Sequence, residues 1–73
     1  YEGLFLDIDD EELSVFVSNK IKKFEVDSDV KVKFKDKNGD LEDLIEGDSV
    51  RVIVEEDDEE VIVIEVDRNY ISK

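Results

Sequence analysis

Cysteine, histidine, methionine, tryptophan and proline are all absent from this sequence of 73 residues, and glycine occurs only three times. Without cysteine and histidine, the chain cannot form disulfides, thiolate zinc sites or the histidine-dependent pairs of nucleophilic catalysis. A chain of this length also has little room for a substrate pocket of roughly 300 Å³ beside its core. We therefore expect that the protein is not an enzyme and has no catalytic residues.

Long apolar runs are missing too. None approaches the roughly 18 residues that a membrane helix needs, and no charged and apolar leader is present, so no membrane insertion is expected. The first residue is Tyr rather than Met. We expect the segment to come from a longer protein, which could itself be exported.

Basic residues are few, since 10 Lys and Arg stand against 23 Asp and Glu and give a net charge of −13. This charge repels the phosphates of nucleic acids, so no nucleic-acid binding is expected. The basic residues concentrate between positions 20 and 37, at Lys20, Lys22, Lys23, Lys31, Lys33, Lys35 and Lys37. Strand-spaced lysines of this kind are typical of a solvated sheet face, where they pair with acids and oppose edge-to-edge aggregation.

The apolar residues favour strands, because 18 of the 29 are Val or Ile and none is Ala. The clearest strand is VKVKF, in which Val30, Val32 and Phe34 alternate with lysines. Phe5 and Phe16 are predicted to face outward. The inward residues predicted for the other strands are Leu4, Leu6 and Ile8; Leu13, Val15 and Val17; Phe24 and Val26; Val50, Val52 and Val54; and Ile62, Ile64 and Val66.

Turns are predicted between these strands. Residues 9–12 form a polar turn, and either a bulge or a turn near Asn19-Lys20 precedes the third strand, which ends at residues 27–29. Asn38-Gly39 also predicts a turn, because both residues tolerate positive φ.

A short helix is predicted over about residues 41–46, where apolar residues fall at i, i+3 and i+4. Asp40 is the expected N-cap, and Gly47 stands where a left-handed C-cap belongs.

Both faces of the last two strands are predicted to be covered, since Ile53, Val61 and Val63 lie on the nominally outer side. A six-stranded antiparallel barrel, or a strongly curved sheet, with one short helix accounts for this pattern. We expect residues 1–68 to form a single domain and residues 69–73 to be a tail or the start of a linker.

Two acidic turns are candidates for calcium binding, because hard cations take several oxygen ligands. The candidate ligands are Asp7, Asp9, Asp10, Glu11 and Glu12 in one turn and Glu55, Glu56, Asp57 and Asp58 in the other, which continues to Glu60. Neither turn has EF-hand spacing, and carboxylates that follow one another on a hairpin point to alternate faces. We therefore expect exposed turns that bind Ca²⁺ weakly at most, and no cofactor.

Parts of the sequence also resemble a known family of small β domains. FEVD at 24–27, VKV at 30–32 and LEDLIEGDSVRV at 41–52 resemble small, OB-like all-β modules that occur in tandem in bacterial surface-layer and cell-wall proteins. The best motif is L-x-D-L-x-x-G-D-x-V, at Leu41, Asp43, Leu44, Gly47, Asp48 and Val50. The sequence departs from the pattern at 55–60, where a shorter turn with glycine is expected.

The resemblance implies an extracellular, non-catalytic spacer or interaction module in the cell wall or S-layer of a bacterium, with neighbouring domains of the same protein as partners. Two alternatives stay open. One is a calcium-binding acidic module that stiffens domain junctions. The other is a designed small β-barrel without a biological function, although the scarcity of glycine and the absence of proline do not favour design.

Overall fold

The computed structural model describes residues 1–57 and 59–69, and its architecture is all-β, as predicted. The six strands are β1 (Glu2–Asp9), β2 (Glu12–Val17), β3 (Lys20–Lys33), β4 (Asn38–Gly39), β5 (Ser49–Val54) and β6 (Val61–Val66). A short 3-10 helix, Leu41–Asp43, connects β4 to β5. The strands belong to one sheet.

Five of the strands form a ring. β1 pairs with β2 and with β5, β6 pairs with β5 and with β3, and the β2–β3 pairing completes the circle. The β3–β6 pairing is parallel, whereas the other pairings are antiparallel. The prediction of a purely antiparallel sheet is therefore wrong, because the long connection through β4, the 3-10 helix and β5 lets β6 return in the direction of β3.

Strand β3 is one strand of 14 residues where the sequence predicted two. Its first half pairs with β2 and its second half with β6, and the register shifts between Val26 and Lys31. The polar residues at 27–29 lie at this change of neighbour, where the Asp29 N–H donates a 2.7 Å hydrogen bond to Asp27 Oδ1. They mark the change of partner within a continuous strand and not its end.

The inward position predicted for Ile8 is confirmed, since it packs against the core, but the positions predicted for Leu4 and Phe5 are wrong. Phe5 is 5% exposed, whereas Leu4 is 44% exposed. A register shift between Phe5 and Asp7 leaves Leu6 without an opposite residue in β2, and this extra residue turns Phe5 and Ile8 toward the same side.

A second irregularity changes the inward face of β6. Val54 pairs with Val61 and Ile53 pairs with Val63, so that Ile62 is the extra residue. Val61, which was predicted on the outer face, is fully buried, and Ile62 is only partly buried. The inward positions of Ile64 and Val66 are confirmed.

The core lies inside the ring, and every buried residue in the described part of the chain is hydrophobic. These residues are Phe5, Leu13, Val15, Phe24, Val26, Val32, Phe34, Leu44, Val50, Val52, Val61, Ile64 and Val66. Ile8, Val17, Val30, Leu41 and Val54 pack against them. The inward alternation predicted for β2, for β5 and for the second half of β3 is confirmed.

Two tight turns connect the first three strands. Asp10 and Glu11 have φ values of 48° and 68°, and Ser18 and Asn19 have values of 50° and 66°. Positive φ at both central residues is the geometry of a type I′ turn, which matches the right-handed twist of paired strands. The turn at 9–12 is confirmed, and the irregularity expected near Asn19 is a turn, since the β2–β3 register is continuous.

Asn38-Gly39 is not the predicted turn. These residues form β4 and pair with Lys33 and Val32, while the chain reverses at residues 35–37. Gly39 is required for another reason: a Cβ atom there would lie 2.5 Å from the Phe34 ring.

The helix predicted over 41–46 is shorter in the structure. It covers Leu41–Asp43 and ends because Leu44 adopts an extended conformation. The predicted N-cap position is confirmed at Asp40, whose N–H donates a 2.8 Å hydrogen bond to Asp43 Oδ2.

Candidate functional site

The turn before β5 is attached to β1 by its backbone. Gly47 has a φ of 96°, and the Asp48 N–H donates a 3.0 Å hydrogen bond to the Ile45 carbonyl. The Gly47 N–H donates to the Phe5 carbonyl, and the Phe5 N–H donates to the Asp48 carbonyl, both at 2.8 Å. The left-handed conformation predicted for Gly47 is confirmed, but it serves this turn and not the end of a helix.

The Asp48 carboxylate is held between this turn and Arg68, and we call this pair the Asp48–Arg68 lock. Arg68 Nε donates to Asp48 Oδ1 at 2.7 Å, and Arg68 Nη2 donates to Oδ2 at 3.1 Å. The same Nη2 donates to the Asp43 carbonyl at 2.6 Å, and the guanidinium carbon lies 4.9 Å from the centre of the Phe34 ring. The hydrogen bond with Asp48 raises the pKa of Arg68 above its ordinary value.

The side chains of the lock are 21% exposed for Arg68 and 9% for Asp48. An ion pair with this geometry and burial fixes the segment after β6 against the turn before β5. The sequence offered no local signal for it, because a single arginine after a strand has many available partners. The tail predicted at residues 69–73 lies outside the described residues, apart from Asn69.

The acidic residues chosen as calcium ligands lie on the surface. Those that are described are exposed: Asp7, Asp9, Asp10, Glu11, Glu12, Glu55, Glu56 and Asp57. Asp58 lies outside the described residues. In the part of the chain that is described, no three acidic side chains are grouped in a way that could hold a metal ion.

The two acidic turns nevertheless approach one another at one side of the ring. Asp10, Glu11 and Glu12 line a shallow cleft of about 250 Å³ together with Glu25 and Glu60. The Glu11 carbonyl accepts a 2.9 Å hydrogen bond from the Val26 N–H, which fixes the first turn against β3. Glu25 was not among the predicted ligands; it arrives there because β2 and β3 pair in register.

The acidic connection between β5 and β6 is closed by backbone hydrogen bonds. The Glu55 N–H donates to the Glu60 carbonyl at 2.9 Å, and the Glu59 N–H donates to the Glu55 carbonyl at 2.8 Å. Glu59 has a φ of 57°, a left-handed conformation that glycine adopts more easily. These hydrogen bonds join Glu55 to Glu59 and Glu60, although the connection lacks the glycine that was expected in it.

Two lysines pair with acids, and one of these pairs joins neighbouring strands, as the solvated-face interpretation predicted. Lys23 Nζ lies 3.8 Å from Glu12 Oε1, and Lys35 Nζ lies 3.7 Å from Asp67 Oδ1. All of these side chains are exposed, so each pair contributes little to stability.

An aromatic groove lies between β3 and the β5–β6 connection. Its apolar floor is formed by Tyr1, Phe24 and Val54, and its volume is about 490 Å³. The rings of Tyr1 and Phe24 are 5.2 Å apart, and Lys22 Nζ lies 4.4 Å from the centre of the Tyr1 ring. We call this feature the Tyr1 groove. Sequence reasoning missed it, because the two aromatic residues meet only through the pairings of different strands.

An exposed apolar row crosses the outer face of the sheet. Leu4 is opposite Phe16, and Phe16 is opposite Ile21, on three adjacent strands. Their exposed fractions are 44%, 38% and 62%, respectively. We call these residues the apolar row. Its signal in the sequence is the placement of Phe16 and Ile21 at equal distances from the Ser18-Asn19 turn.

No protein family, curated protein or solved structure matches this chain. Within residues 1–57 and 59–69, no helix is both long and apolar enough to cross a membrane. The candidate functional features of the described residues are the Asp48–Arg68 lock, the acidic cleft, the Tyr1 groove and the apolar row.

Proposed function

We propose that this domain is a non-catalytic structural or interaction module of a secreted bacterial protein of the S-layer or cell wall. The observation that carries the proposal is the role of the motif at residues 41–50, which is the part of the chain that most resembles such modules. Its apolar residues pack in or against the core, and Asp48 binds Arg68.

The apolar positions of the motif are packing residues. Leu44 and Val50 are buried in the core, and Leu41 packs against it. Its polar positions hold the Asp48–Arg68 lock, since Asp48 binds Arg68 through its side chain and Asp43 does so through its carbonyl. A motif that specifies a fold is what a repeated structural module requires, and this supports the proposed role.

We further propose that the ring of five strands is a small closed barrel. Support comes from the circular order β1–β2–β3–β6–β5, from the parallel β3–β6 pair and from the apolar core inside the ring. OB-fold barrels also have five strands, and they are partly open. This agrees with the OB-like character of the modules that the sequence resembles.

The test is the sequence of the parent protein on both sides of residues 1–73, followed by fractionation of cells that express the parent. We expect an export signal, further small β modules or an envelope anchor, and recovery of the protein in the envelope fraction. A cytosolic parent without an export signal would contradict the proposal, and the absence of any genomic parent would favour the designed-barrel alternative.

Weak calcium binding is a second candidate function, and it is favoured by the acidic cleft. Asp10, Glu11 and Glu12 face Glu25 and Glu60 there, so a divalent cation would reduce the repulsion among these carboxylates. A cation that bound both turns would stiffen this side of the module.

Amide chemical shifts measured during a calcium titration test this candidate, with sodium chloride at equal ionic strength as the reference. Specific binding predicts saturating shifts confined to the cleft, and these should weaken in Glu11→Gln but not in Glu46→Gln, an exposed residue outside the cleft. Shifts that are uniform, or equal in sodium, would reject it.

A further inference from the structure

The first half of β3 has one paired edge. Residues 20–25 pair with β2 in continuous register, whereas β6 joins β3 only from Val26 onward. Among residues 1–57 and 59–69, no strand pairs with the second edge of this segment. An unpaired strand edge is a template on which another extended chain can add.

The hydrogen-bonding groups of this edge can be assigned. The Val26 N–H donates toward the first turn, at the Glu11 carbonyl. Since successive N–H groups of a strand point to opposite edges, those of Lys22 and Phe24 also point toward β2. The N–H and C=O groups of Ile21 and Lys23 therefore point to the unpaired edge.

The apolar row ends at this edge. Ile21 is its last residue and its most exposed one, at 62%. A strand that added to β3 would place a side chain beside Ile21 and extend the row from three strands to four. Apolar cross-strand neighbours stabilise such a pairing.

The opposite face of the same segment borders the Tyr1 groove. Side chains of a strand alternate between its two faces. In the added strand, the residues before and after the one beside Ile21 would therefore point into the groove. There they would meet the floor formed by Tyr1, Phe24 and Val54. A single added strand would thus contact both surfaces.

The charge of the groove indicates the kind of strand. Its wall carries four carboxylates with no ion pair in the described part of the chain: Glu25, Glu55, Glu56 and Glu59. Its lysines are already engaged, since Lys23 pairs with Glu12 and Lys22 lies over the Tyr1 ring. The groove therefore favours a basic occupant, and arginine suits it because its stem packs on apolar surface and its guanidinium binds carboxylates.

A second copy of this chain is a poor occupant. A copy bound at this edge would bring its own excess of carboxylates toward the four carboxylates of the groove, and like charges repel. Each copy also carries a net charge of −13.

We propose that residues 20–25 of β3 bind an extended, basic peptide segment of a partner protein by strand addition. Its apolar side chains lie beside Ile21, and its basic side chains enter the Tyr1 groove and reach the glutamate wall. This inference rests on the proposed role as an interaction module, but it does not depend on the cellular location of the parent.

The test uses a synthetic peptide of about seven residues that alternates valine with arginine, long enough for one strand. Hydrogen exchange of the protein amides is followed by NMR as the peptide is added. Strand addition predicts that the amides of Ile21 and Lys23 become protected at saturation, whereas those of Lys22 and Phe24, which already face β2, change little. A peptide that alternates valine with glutamate should not bind.

A matched pair of isoleucine variants tests the contact at the apolar row. Ile21 and Ile45 are both exposed, at 62% and 58%, and only Ile21 lies on the proposed edge. Ile21→Ser should weaken binding by about fivefold, and Ile45→Ser should leave it unchanged; the loss of one apolar contact gives this magnitude. Both variants should keep the native spectrum, since neither side chain belongs to the core.

Three outcomes would overturn the inference. The first is the absence of binding at millimolar peptide. The second is binding that shifts acidic residues alone and leaves the exchange of the Ile21 and Lys23 amides unchanged, which would show simple charge attraction. The third is protection of these amides without peptide that rises with protein concentration, which would show a second copy at the edge. None of them bears on export of the parent, so the proposed location is tested separately.

Discussion

Arg68 binds Asp48 through two parallel hydrogen bonds, from Nε to Oδ1 at 2.7 Å and from Nη2 to Oδ2 at 3.1 Å. Nη2 also reaches the Asp43 carbonyl, so one guanidinium connects the end of β6 to both the 3-10 helix and the turn before β5. The fork of an arginine can make these contacts together, and the single ammonium group of a lysine cannot.

Arg68→Lys should therefore lower the free energy of unfolding by about 1.5–3 kcal/mol, which is typical for hydrogen bonds to charged groups that are partly buried. The matched control is Arg51→Lys. Arg51 also binds a carboxylate, at 2.8 Å from Glu2, but both side chains are mostly exposed and little change is expected. Urea unfolding measures both, and equal losses in the two variants would contradict the structural role of the lock.

The effect of Arg68→Lys should not depend on pH near neutrality. The pKa of Arg68 is raised above its ordinary value by its hydrogen bond with Asp48. The raised pKa contributes its full stabilisation when the pH is below the ordinary pKa of arginine. This contribution disappears only as the pH rises through the raised pKa. The difference in unfolding free energy between the two proteins should thus be constant from about pH 6 to pH 9, where arginine stays protonated. A slope across this range would contradict the assignment.

Two glycines should respond differently to substitution. A Cβ at Gly39 would lie 2.5 Å from the Phe34 ring. A Cβ at Gly47 would meet nothing within 4 Å, but any residue at this position must adopt a φ of 96°. Gly39→Asn should thus lower stability by about 1–3 kcal/mol through overpacking. Gly47→Asn should lower it less than Gly47→Ala, because asparagine tolerates the left-handed region. Thermal unfolding measures all three, and equal effects of Asn and Ala at position 47 would contradict the conformational explanation.

Glu59→Gly should stabilise the protein. Glu59 adopts a φ of 57° in the loop between β5 and β6, where glycine carries no Cβ strain. We expect a gain of about 0.5–1 kcal/mol. Glu59→Gln separates the two causes, because it removes the charge and keeps the Cβ. If the glutamine variant gains as much stability as the glycine variant, charge repulsion among the carboxylates, and not backbone strain, is what destabilises this loop.

Ile64 and Ile53 lie on adjacent strands but on opposite sides of the sheet. Ile64 is fully buried, and Ile53 is exposed. Ile64→Ala should lower the free energy of unfolding by about 2–5 kcal/mol, the cost of a large cavity in a core. Ile53→Ala should lower it by less than about 1 kcal/mol. Chemical denaturation measures both values, and similar losses would mean that Ile64 does not lie in the core.

Local patterns in the sequence predicted the parts of the fold that local geometry determines. Val32 and Phe34 are buried and the lysines between and around them are exposed, because side chains of a regular strand alternate. The turn at residues 9–12 was also predictable, since a polar run separates two apolar ones. The buried and exposed faces of β2 were predictable from the same alternation of side chains.

The errors arose where one extra residue changed the phase of a strand. Leu6 in β1 and Ile62 in β6 are such residues, and both are apolar like their neighbours. The sequence therefore reads equally well in either phase, and only the partner strand decides whether Phe5 or Leu4 faces the core. The same holds for Val61 and Ile62.

The candidate site was largely beyond prediction because its residues are distant in sequence. Tyr1 meets Phe24, and Arg68 meets Asp48, only after the ring of strands has formed. Asn38-Gly39 was predicted wrongly for a different reason. Glycine is common in turns, but it also occurs where a side chain would collide with a neighbour, and at Gly39 that neighbour is the Phe34 ring. The described candidate calcium ligands were correctly placed on the surface, but the cleft that Glu25 forms with both turns required the β2–β3 register.

The parallel pairing of β3 with β6 has a consequence for how fast the chain folds and unfolds. β1, β2 and β3 are joined by two-residue turns, so their hairpins can form early and at small entropic cost. Val26 can pair with Val61 only after the intervening chain has been closed into a loop, which makes this pairing a late event. Weakening the contact at Val61 should then accelerate unfolding while the folding rate stays nearly constant, so the lifetime of the native state depends on the strand that closes the ring.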